Sequence, residues 1–162
     1  MKKMKRWKIT NDIIDLASKW NDFNGNQFSI RKDGVNRSIG NIAEIMFSRT
    51  YSDAIRISNI DKNADFILKG KRIDVKCKER AVYCKDFYEV SIEERQIDFN
   101  VDWYAFYSYN NKESVLEFLG WISKKEFIDK SRKLTSGEVD SHNGWIVNVD
   151  CRNLKINELI NV

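Results

Sequence analysis

The sequence predicts a mixed α/β domain in which helices flank a single mixed central β-sheet. An apolar period of 3.6 residues runs through parts of the first fifty residues, and a two-residue alternation follows in short segments. The length of 162 residues fits one domain, over residues 1–162. Hydrophobic residues make up 42% and charged residues 32%, as is usual for globular proteins.

A first helix is predicted over residues 10–22, with Thr10 or Asn11 as its N-cap. The apolar residues near one face of this helix are Ile13, Ile14, Leu16, Ala17 and Trp20. Residues 24–37 are polar and contain glycine, so we expect a loop there.

A second helix is predicted from residue 39 onward, with Ser38 as its N-cap. Its apolar residues follow the full template for one buried face: Ile39, Ile42, Ala43, Met46 and Phe47. Glu44 lies at the edge of this apolar stripe, where a functional carboxylate is plausible and a plain surface glutamate is the alternative. Gly40 lies one turn before Glu44, and a glycine there allows a backbone or substrate to approach closely.

After Tyr51 the apolar period changes to two, which predicts strands. The predicted strands cover residues 54–60, 64–68, 72–78, 87–92, 101–109, 114–122 and 144–151. A short helix is predicted over 123–133, because Ser123 and Glu126 have the spacing of a capping box.

The segments 64–68 and 72–78 flank Lys69-Gly70, which suits a two-residue hairpin turn. With that turn, Asp65 lies directly opposite Asp74, and opposed residues share a face with Cβ atoms ~5 Å apart. Lys76 follows Asp74 by two residues and therefore lies on the same face. The hairpin thus collects two carboxylates and one ammonium group on one side.

Two carboxylates at that distance repel each other unless a cation lies between them. Oxygen ligands favour Mg²⁺ or Mn²⁺, and a lysine beside the metal is suited to act on an attacking water. Asp74-Val75-Lys76 is the sole Asp/Glu-x-Lys tripeptide in the sequence. The pattern therefore indicates phosphodiester hydrolysis, and the competing interpretation is a solvent-facing hairpin with ordinary charge pairs.

Other chemistries are restricted by the composition. A zinc site with several histidines is excluded because His142 is the sole histidine, and a Ser-His-Asp triad is disfavoured because that residue lies in a Ser-His-Asn-Gly turn. The three cysteines form no C-x-x-C pair, and their odd number argues against a disulfide framework. No apolar run approaches the ~20 residues needed to cross a bilayer, and no signal peptide is recognised, so we expect a cytoplasmic protein without membrane contact.

The net charge of +4 is mildly basic and compatible with DNA as the partner. Basic residues near the hairpin are the candidate phosphate contacts: Lys69, Lys71, Arg72, Lys78, Arg80 and Lys85. Residues 1–9 are expected to form a mobile basic arm, either on the DNA backbone or free in solvent. The strand aromatics are expected mainly in the core, with base stacking as the alternative: Trp103, Tyr104, Phe106, Trp121 and Trp145.

The motif Gly40-Asn41-Ile42-Ala43-Glu44, followed by Asp65 and then Asp74-Val75-Lys76, resembles the PD-(D/E)XK nuclease superfamily. The resemblance covers roughly residues 38–109, and the segment from Val101 to Ser123 looks like small phage-type members. It implies the restriction-endonuclease-like fold. It also implies metal binding by Asp65, Asp74 and the Val75 carbonyl, with Glu44 contributing directly or through water, and it implies that Lys76 acts on the nucleophilic water.

The sequence departs from the family pattern at two places. Ala64 occupies the position of the name-giving proline, which is often missing in the family. Gln96 is followed four residues later by Asn100, so the Gln-x-x-x-Tyr motif of some exonuclease branches is absent. Gln96 remains a candidate catalytic residue, and a surface glutamine is the alternative.

The leading functional hypothesis is a Mg²⁺- or Mn²⁺-dependent DNA endonuclease encoded by a phage or mobile element. A second hypothesis on the same fold is a structure-selective nuclease resembling Holliday-junction resolvases, which would act as a homodimer. A third is a nucleic-acid-binding protein on the same fold without catalysis. The paired carboxylates argue against the third, because carboxylates facing phosphate only weaken binding.

Overall fold

Three α-helices and nine β-strands occur in the described parts of the computed structural model, which are residues 3–20 and 39–160. The helices are α1 (Asn11–Ser18), α2 (Ile39–Thr50) and α3 (Lys124–Lys130). The first five strands are β1 (Lys5–Lys8), β2 (Ile55–Arg56), β3 (Phe66–Leu68), β4 (Lys71–Arg80) and β5 (Glu89–Glu93). The last four strands are β6 (Trp103–Asn110), β7 (Val115–Ser123), β8 (Arg132–Leu134) and β9 (Cys151–Lys155).

The main sheet has six strands in the order β1-β7-β6-β4-β3-β2. Strands β4 and β6 are parallel, and the other neighbours are antiparallel, so the sheet is mixed as the sequence predicts. The strands β5, β9 and β8 form a second, antiparallel sheet that was not predicted.

Helices α1 and α2 cover one face of the main sheet. Phe47 of α2 is fully buried and lies 4.7 Å, centroid to centroid, from Phe66 of β3. Ile73 and Val75 of β4 join this core together with Ala105 of β6. Burial of this apolar surface, at roughly 25 cal/mol per Å², holds α2 against the hairpin of β3 and β4.

The opposite face of the main sheet forms a second core. Tyr104 and Phe106 of β6 are buried there against Phe127 of α3, with Ile92 of β5 and Leu154 of β9 in the same cluster. The second sheet and α3 therefore cover this face. Asp74 and Lys76 alternate with Ile73 and Val75 along β4, which places the charged residues on the side of this second core.

Several element boundaries differ from the sequence prediction. Helix α1 ends at Ser18, and residues 21–22, the predicted loop 24–37 and the Ser38 cap lie outside the described residues. The predicted strand 54–60 shrinks to Ile55–Arg56, because the chain turns where the Ile60 N–H donates to the Ile57 carbonyl. In the predicted helix 123–133 the Ser123 cap is confirmed, since its hydroxyl accepts from the Glu126 N–H, but the helix ends at Lys130.

The prediction of a strand over residues 144–151 was wrong for most of that segment. Gly144 has a φ of +73°, which is not a strand conformation. Trp145 and the residues after it mainly form one side of a short hairpin, and this side is exposed to solvent. Regular strand structure begins at Cys151, and it pairs with Arg132–Leu134, a segment too short to show a two-residue alternation.

The expectation of a mobile arm over residues 1–9 is corrected in part. Residues 5–8 form β1, which pairs antiparallel with β7. The Arg6 Nε donates to Oε1 of the buried Glu117 at 3.0 Å, so part of the basic charge serves the fold. No helix within residues 3–20 and 39–160 has the length and apolar character that crossing a membrane requires.

Candidate active site

The hairpin predicted from the Lys69-Gly70 turn is confirmed. Phe66 pairs with Ile73, and Lys69 and Gly70 have φ values of +50° and +74°, as a type I′ turn requires. Continuing the register outward places Asp65 opposite Asp74, and the Asp65 N–H donates to the Ile73 carbonyl at 2.9 Å. The two carboxylates therefore share one face of the hairpin.

The Asp65 carboxylate is fixed by the backbone of the neighbouring strand. Its Oδ2 accepts a hydrogen bond from the Val75 N–H at 2.8 Å. Asp74 lies in β4, a strand inside the sheet, and only 7% of the residue is exposed. Strand pairing and this backbone hydrogen bond thus hold the two carboxyl groups in place.

Glu44 extends this pair into a chain of three carboxyl groups. The Asp65 carboxyl lies within hydrogen-bonding reach of both the Glu44 and the Asp74 carboxyls. Glu44 is buried, with 7% of the residue exposed, although the sequence placed it at the edge of the apolar stripe. A Cβ on Gly40 would meet no described atom within 4 Å, so the close approach expected at this glycine does not occur among the described residues.

Three residues that the sequence analysis did not assign to the site position Glu44. The Trp20 Nε1 donates to Oε2 of Glu44 at 2.8 Å, and the Ser58 hydroxyl donates to the same oxygen at 3.2 Å. The Arg56 Nε lies 3.9 Å from this oxygen, and its guanidinium lies 4.1 Å from the centroid of the Trp20 ring. No local motif signals these contacts, because they join segments 12 to 36 residues apart, as the residue numbers give.

Lys76 lies beside the carboxyl chain. Its Nζ is 3.0 Å from Oδ2 of Asp74 and donates to Oε1 of Gln96 at 3.1 Å. Gln96 ends a 3₁₀ helix (Glu94–Gln96) that follows β5, so the second sheet reaches the site through this side chain. The structure therefore brings together all five residues predicted as catalytic from the sequence: Glu44, Asp65, Asp74, Lys76 and Gln96.

The carboxyl groups resist ionisation because they are desolvated and close to each other. Burial raises the pKa of Asp74, the Lys76 ammonium lowers it and the neighbouring Asp65 raises it, and together these effects bring the pKa to about 7. Burial and the adjacent Glu44 hold the pKa of Asp65 well above its ordinary value. Burial also raises the pKa of Glu44, although Asp65 and Arg56 oppose this shift.

These shifts predict how stability depends on pH without metal. A raised pKa in the folded state means that the Asp74 contribution is complete below about pH 4 and is lost as the pH rises through about 7. The melting temperature of the metal-free protein should therefore fall as the pH rises from about 4 to about 7. The charged groups next to Asp74 are Asp65 and Lys76, and Glu44 lies beyond Asp65. Asp74→Asn removes the group that titrates, so it should flatten the dependence of melting temperature on pH. Thermal unfolding in a chelator measures this, and equal profiles for both proteins would contradict it.

The donor set fits a hard divalent cation. Mg²⁺ usually takes one or two carboxylates and keeps waters or phosphate oxygens as its other ligands. Asp65 and Asp74 supply two carboxylates, one oxygen of which already accepts from the Val75 N–H. Within the two described ranges, no three His, Cys, Asp or Glu side chains form a ready-made metal cage, and the carboxyls of Glu44, Asp65 and Asp74 form a chain instead.

A groove of about 850 Å³ opens beside this cluster. Lys76 lines the groove and contacts Asp74, so it joins the groove to the carboxyl groups. Lys78 and Arg80, which follow on β4, also line the groove, and so do Gln96 and Trp145. The groove therefore reaches the carboxyl cluster at Lys76 and Gln96, while Glu44, Asp65 and Asp74 lie outside its lining.

The predicted phosphate contacts separate into two groups. Lys78 and Arg80 line the groove, whereas Lys69, Lys71, Arg72 and Lys85 do not. The Arg72 side chain is engaged in the fold, since its Nη2 donates to Asp61 at 2.6 Å and its Nε donates to the Asn100 carbonyl. Lys69 and Lys71 lie exposed at the tip of the hairpin.

The aromatic residues of the predicted strands also differ in their burial. Tyr104 and Phe106 are buried, and Trp103 and Trp121 are partly buried against the first core, which confirms the expectation of core packing for these four. Trp145 is the exception, with 74% of the residue exposed.

Neither the protein-family models nor the curated proteins compared with this chain give a match. The arrangement of Asp65 and Asp74 beside Lys76, which lines the groove, is thus the observation from which function is inferred.

Proposed function

We propose that the protein is a Mg²⁺- or Mn²⁺-dependent nuclease that hydrolyses phosphodiester bonds in DNA. The observation that carries the proposal is the pair of carboxyls on one face of the β3–β4 hairpin, with Lys76, which lines the groove, 3.0 Å from one of them. A protein that only binds nucleic acid gains nothing from carboxyl groups held in a desolvated cluster.

Asp65 and Asp74 would hold the metal, together with the carbonyl of Val75, and Glu44 would contribute directly or through water. The bound metal would supply Lewis-acid stabilisation of the charge that develops on the phosphoryl oxygens. The Val75 N–H holds one oxygen of Asp65 in place, and Trp20 and Ser58 hold Glu44. These hydrogen bonds orient the carboxyl ligands through N–H and O–H groups that do not themselves bind the metal.

Lys76 would meet the attacking water beside Asp74. Its ammonium group orients the water and stabilises the negative charge that forms during attack. Gln96 accepts one hydrogen bond from Lys76 at 3.1 Å, which restrains the long side chain in the direction of the site. Gln96 therefore acts as a positioning residue for Lys76.

The topology supports a restriction-endonuclease-like fold. A helix carrying Glu44 precedes an antiparallel hairpin carrying Asp65 and Asp74, and the second hairpin strand pairs in parallel with β6. This order of elements is the one that the resemblance to PD-(D/E)XK nucleases implies. We include that fold family in the proposal.

The test is cleavage of supercoiled plasmid, linear duplex and branched DNA with Mg²⁺ or Mn²⁺, each with a chelator control. Nicked or linearised plasmid that appears only with the metal supports the proposal. No cleavage of any substrate with either metal, by protein shown to be folded, would contradict it. Selective cleavage of the branched substrate would favour the structure-selective alternative.

Lys78 provides a separate prediction about binding. It lies exposed on the same face of β4 as Lys76 and lines the groove, so it is placed to contact a phosphate. Lys78→Ala should weaken DNA binding, and the slope of log affinity against log salt should fall by roughly one contact, about 0.9 for duplex DNA. Lys125→Ala is the matched control, because it removes the same charge from an exposed position on α3 that does not line the groove. Titrations at several salt concentrations measure both, and equal slopes for the two variants would remove Lys78 from the interface.

A further inference from the structure

Trp145 lies on a short hairpin that the proposed catalytic mechanism does not use. We define the Trp145 hairpin as residues 137–147. The Gly137 N–H donates to the Val147 carbonyl at 2.8 Å, and Val139 forms a bridge with Ile146. At the tip, the Asp140 N–H donates to the Trp145 carbonyl and the Gly144 N–H donates to the Asp140 carbonyl.

This hairpin is anchored to the second sheet by a charged network. Asp140 is 3% exposed and accepts from the Arg132 Nη2 at 2.9 Å. The same nitrogen donates to Oε2 of Glu89 at 2.7 Å, and the His142 Nδ1 lies 2.8 Å from Oε1 of Glu89. Strands β5 and β8 therefore hold the tip in one position.

The position in which the tip is held exposes a large aromatic ring. Trp145 is 74% exposed, and it lines the same groove as Lys76. An indole exposed to solvent adds nothing to the stability of the turn that carries it. A ring that is already held in place, however, lowers the entropy cost of binding a ligand that stacks on it.

The groove wall formed by β4 carries positive charge. Lys76, Lys78 and Arg80 line it, and the Arg80 guanidinium is fixed by the Ser108 hydroxyl at 2.9 Å. Three acidic residues of the groove also have partners: Glu79 accepts from the neutral amide of Asn111, Glu93 accepts from Arg95, and Asp140 accepts from Arg132. Basic side chains and an exposed aromatic ring in the same groove are the combination used for single-stranded nucleic acid.

Resting on the proposed nuclease function, we infer that Trp145 stacks on an unpaired base and that the groove takes single-stranded nucleic acid or the unpaired strand at a duplex junction. In an intact duplex the base faces are covered by their neighbours, so an indole at the side of a groove has no ring to stack on unless a base is first unstacked at a cost in free energy. The phosphates of the unpaired strand would follow Lys78 and Arg80 toward Lys76.

The test measures binding in a chelator, so that no cleavage occurs. The probes are fluorescein-labelled thymidine and uridine oligonucleotides of about 16 nucleotides and a DNA duplex of the same length. Trp145→Ala should weaken binding to the preferred single strand by about tenfold, which corresponds to about 1.4 kcal/mol, because the stacking of one base is lost. Binding of the duplex should stay within about twofold of wild type, because backbone phosphates supply that affinity.

Two variants control for nonspecific effects. Trp145→Phe retains a ring and should recover most of the single-strand affinity. Phe87→Ala removes an aromatic ring that is 58% exposed and lies outside the groove, so it should bind every probe as wild type does. The thymidine and uridine arms show whether the unpaired strand is DNA or RNA.

Three results would overturn the inference: wild-type protein that prefers the duplex, Trp145→Ala that binds the single strand as tightly as wild type, or an equal loss for the single strand and the duplex. The nuclease proposal fails separately. A folded protein that binds single strands through Trp145 but cuts no nucleic acid would contradict that proposal and leave stacking established.

Discussion

Asp74→Asn is expected to abolish cleavage and to remove the thermal stabilisation that Mg²⁺ or Mn²⁺ confers on the wild-type protein. The substitution keeps the size of the side chain and its ability to accept from Lys76, which lies 3.0 Å away, but it removes the charge that would hold the cation. Loss of metal-dependent charge stabilisation should lower the rate by at least ~10³-fold, since that stabilisation amounts to several kcal/mol. Binding to the folded state alone raises stability by mass action, so the rise in melting temperature with metal concentration should also disappear.

Without metal, the order of thermal stability should be reversed, with Asp74→Asn more stable than the wild-type protein. At about pH 8 the wild-type Asp74 is forced to ionise against a folded-state pKa of about 7, whereas asparagine carries no charge, so Asp74→Asn should melt at a higher temperature in a chelator. Asp129→Asn is the matched control, because Asp129 is exposed on α3 and should leave cleavage and metal response unchanged. An Asp74→Asn protein that retains full metal-dependent stabilisation would place the metal site elsewhere.

The parts of the fold that could be predicted are those that short segments encode. The apolar spacing of Ile42, Ala43, Met46 and Phe47 belongs to one helix, and all four side chains are buried in α2. The β3–β4 hairpin follows from one glycine turn and two short alternations. The second sheet could not be predicted in this way, because Arg132–Leu134 has only three residues and forms a strand by pairing with Cys151–Lys155, about 20 residues away in sequence.

The same distinction applies to the candidate site. The opposition of Asp65 and Asp74 could be predicted because a two-residue turn fixes the register between strands. The contact of Lys76 with Gln96 could only be left open, since it depends on where a 3₁₀ helix after β5 returns to the main sheet. The surroundings of Glu44 include Trp20, which precedes it in the sequence, and Ser58, which follows it. Neither residue forms a sequence motif with Glu44.

Lys76→Ala is expected to lower the single-turnover rate of cleavage by ~10²-fold or more, which is the range that acid–base and electrostatic groups contribute. The Lys76 ammonium lies 3.0 Å from Oδ2 of Asp74, and in the proposed mechanism it would meet a water there as negative charge develops. Metal binding should survive, because lysine is not a ligand and removal of a positive charge beside Asp65 and Asp74 favours a cation. DNA binding should fall only slightly, because one phosphate contact among several is lost.

Lys78→Ala separates the chemical step from binding. The two lysines lie two residues apart on the same face of β4 and line the same groove, but only Lys76 contacts Asp74. Lys78→Ala should therefore bind DNA more weakly and with a smaller salt dependence while keeping a nearly normal rate at saturating protein, whereas Lys76→Ala should show the reverse. Single-turnover cleavage at saturating protein and binding titrations at two salt concentrations make the comparison. A near-normal rate for Lys76→Ala would remove this lysine from the mechanism, because no excess of protein can replace a group that acts after the substrate is bound.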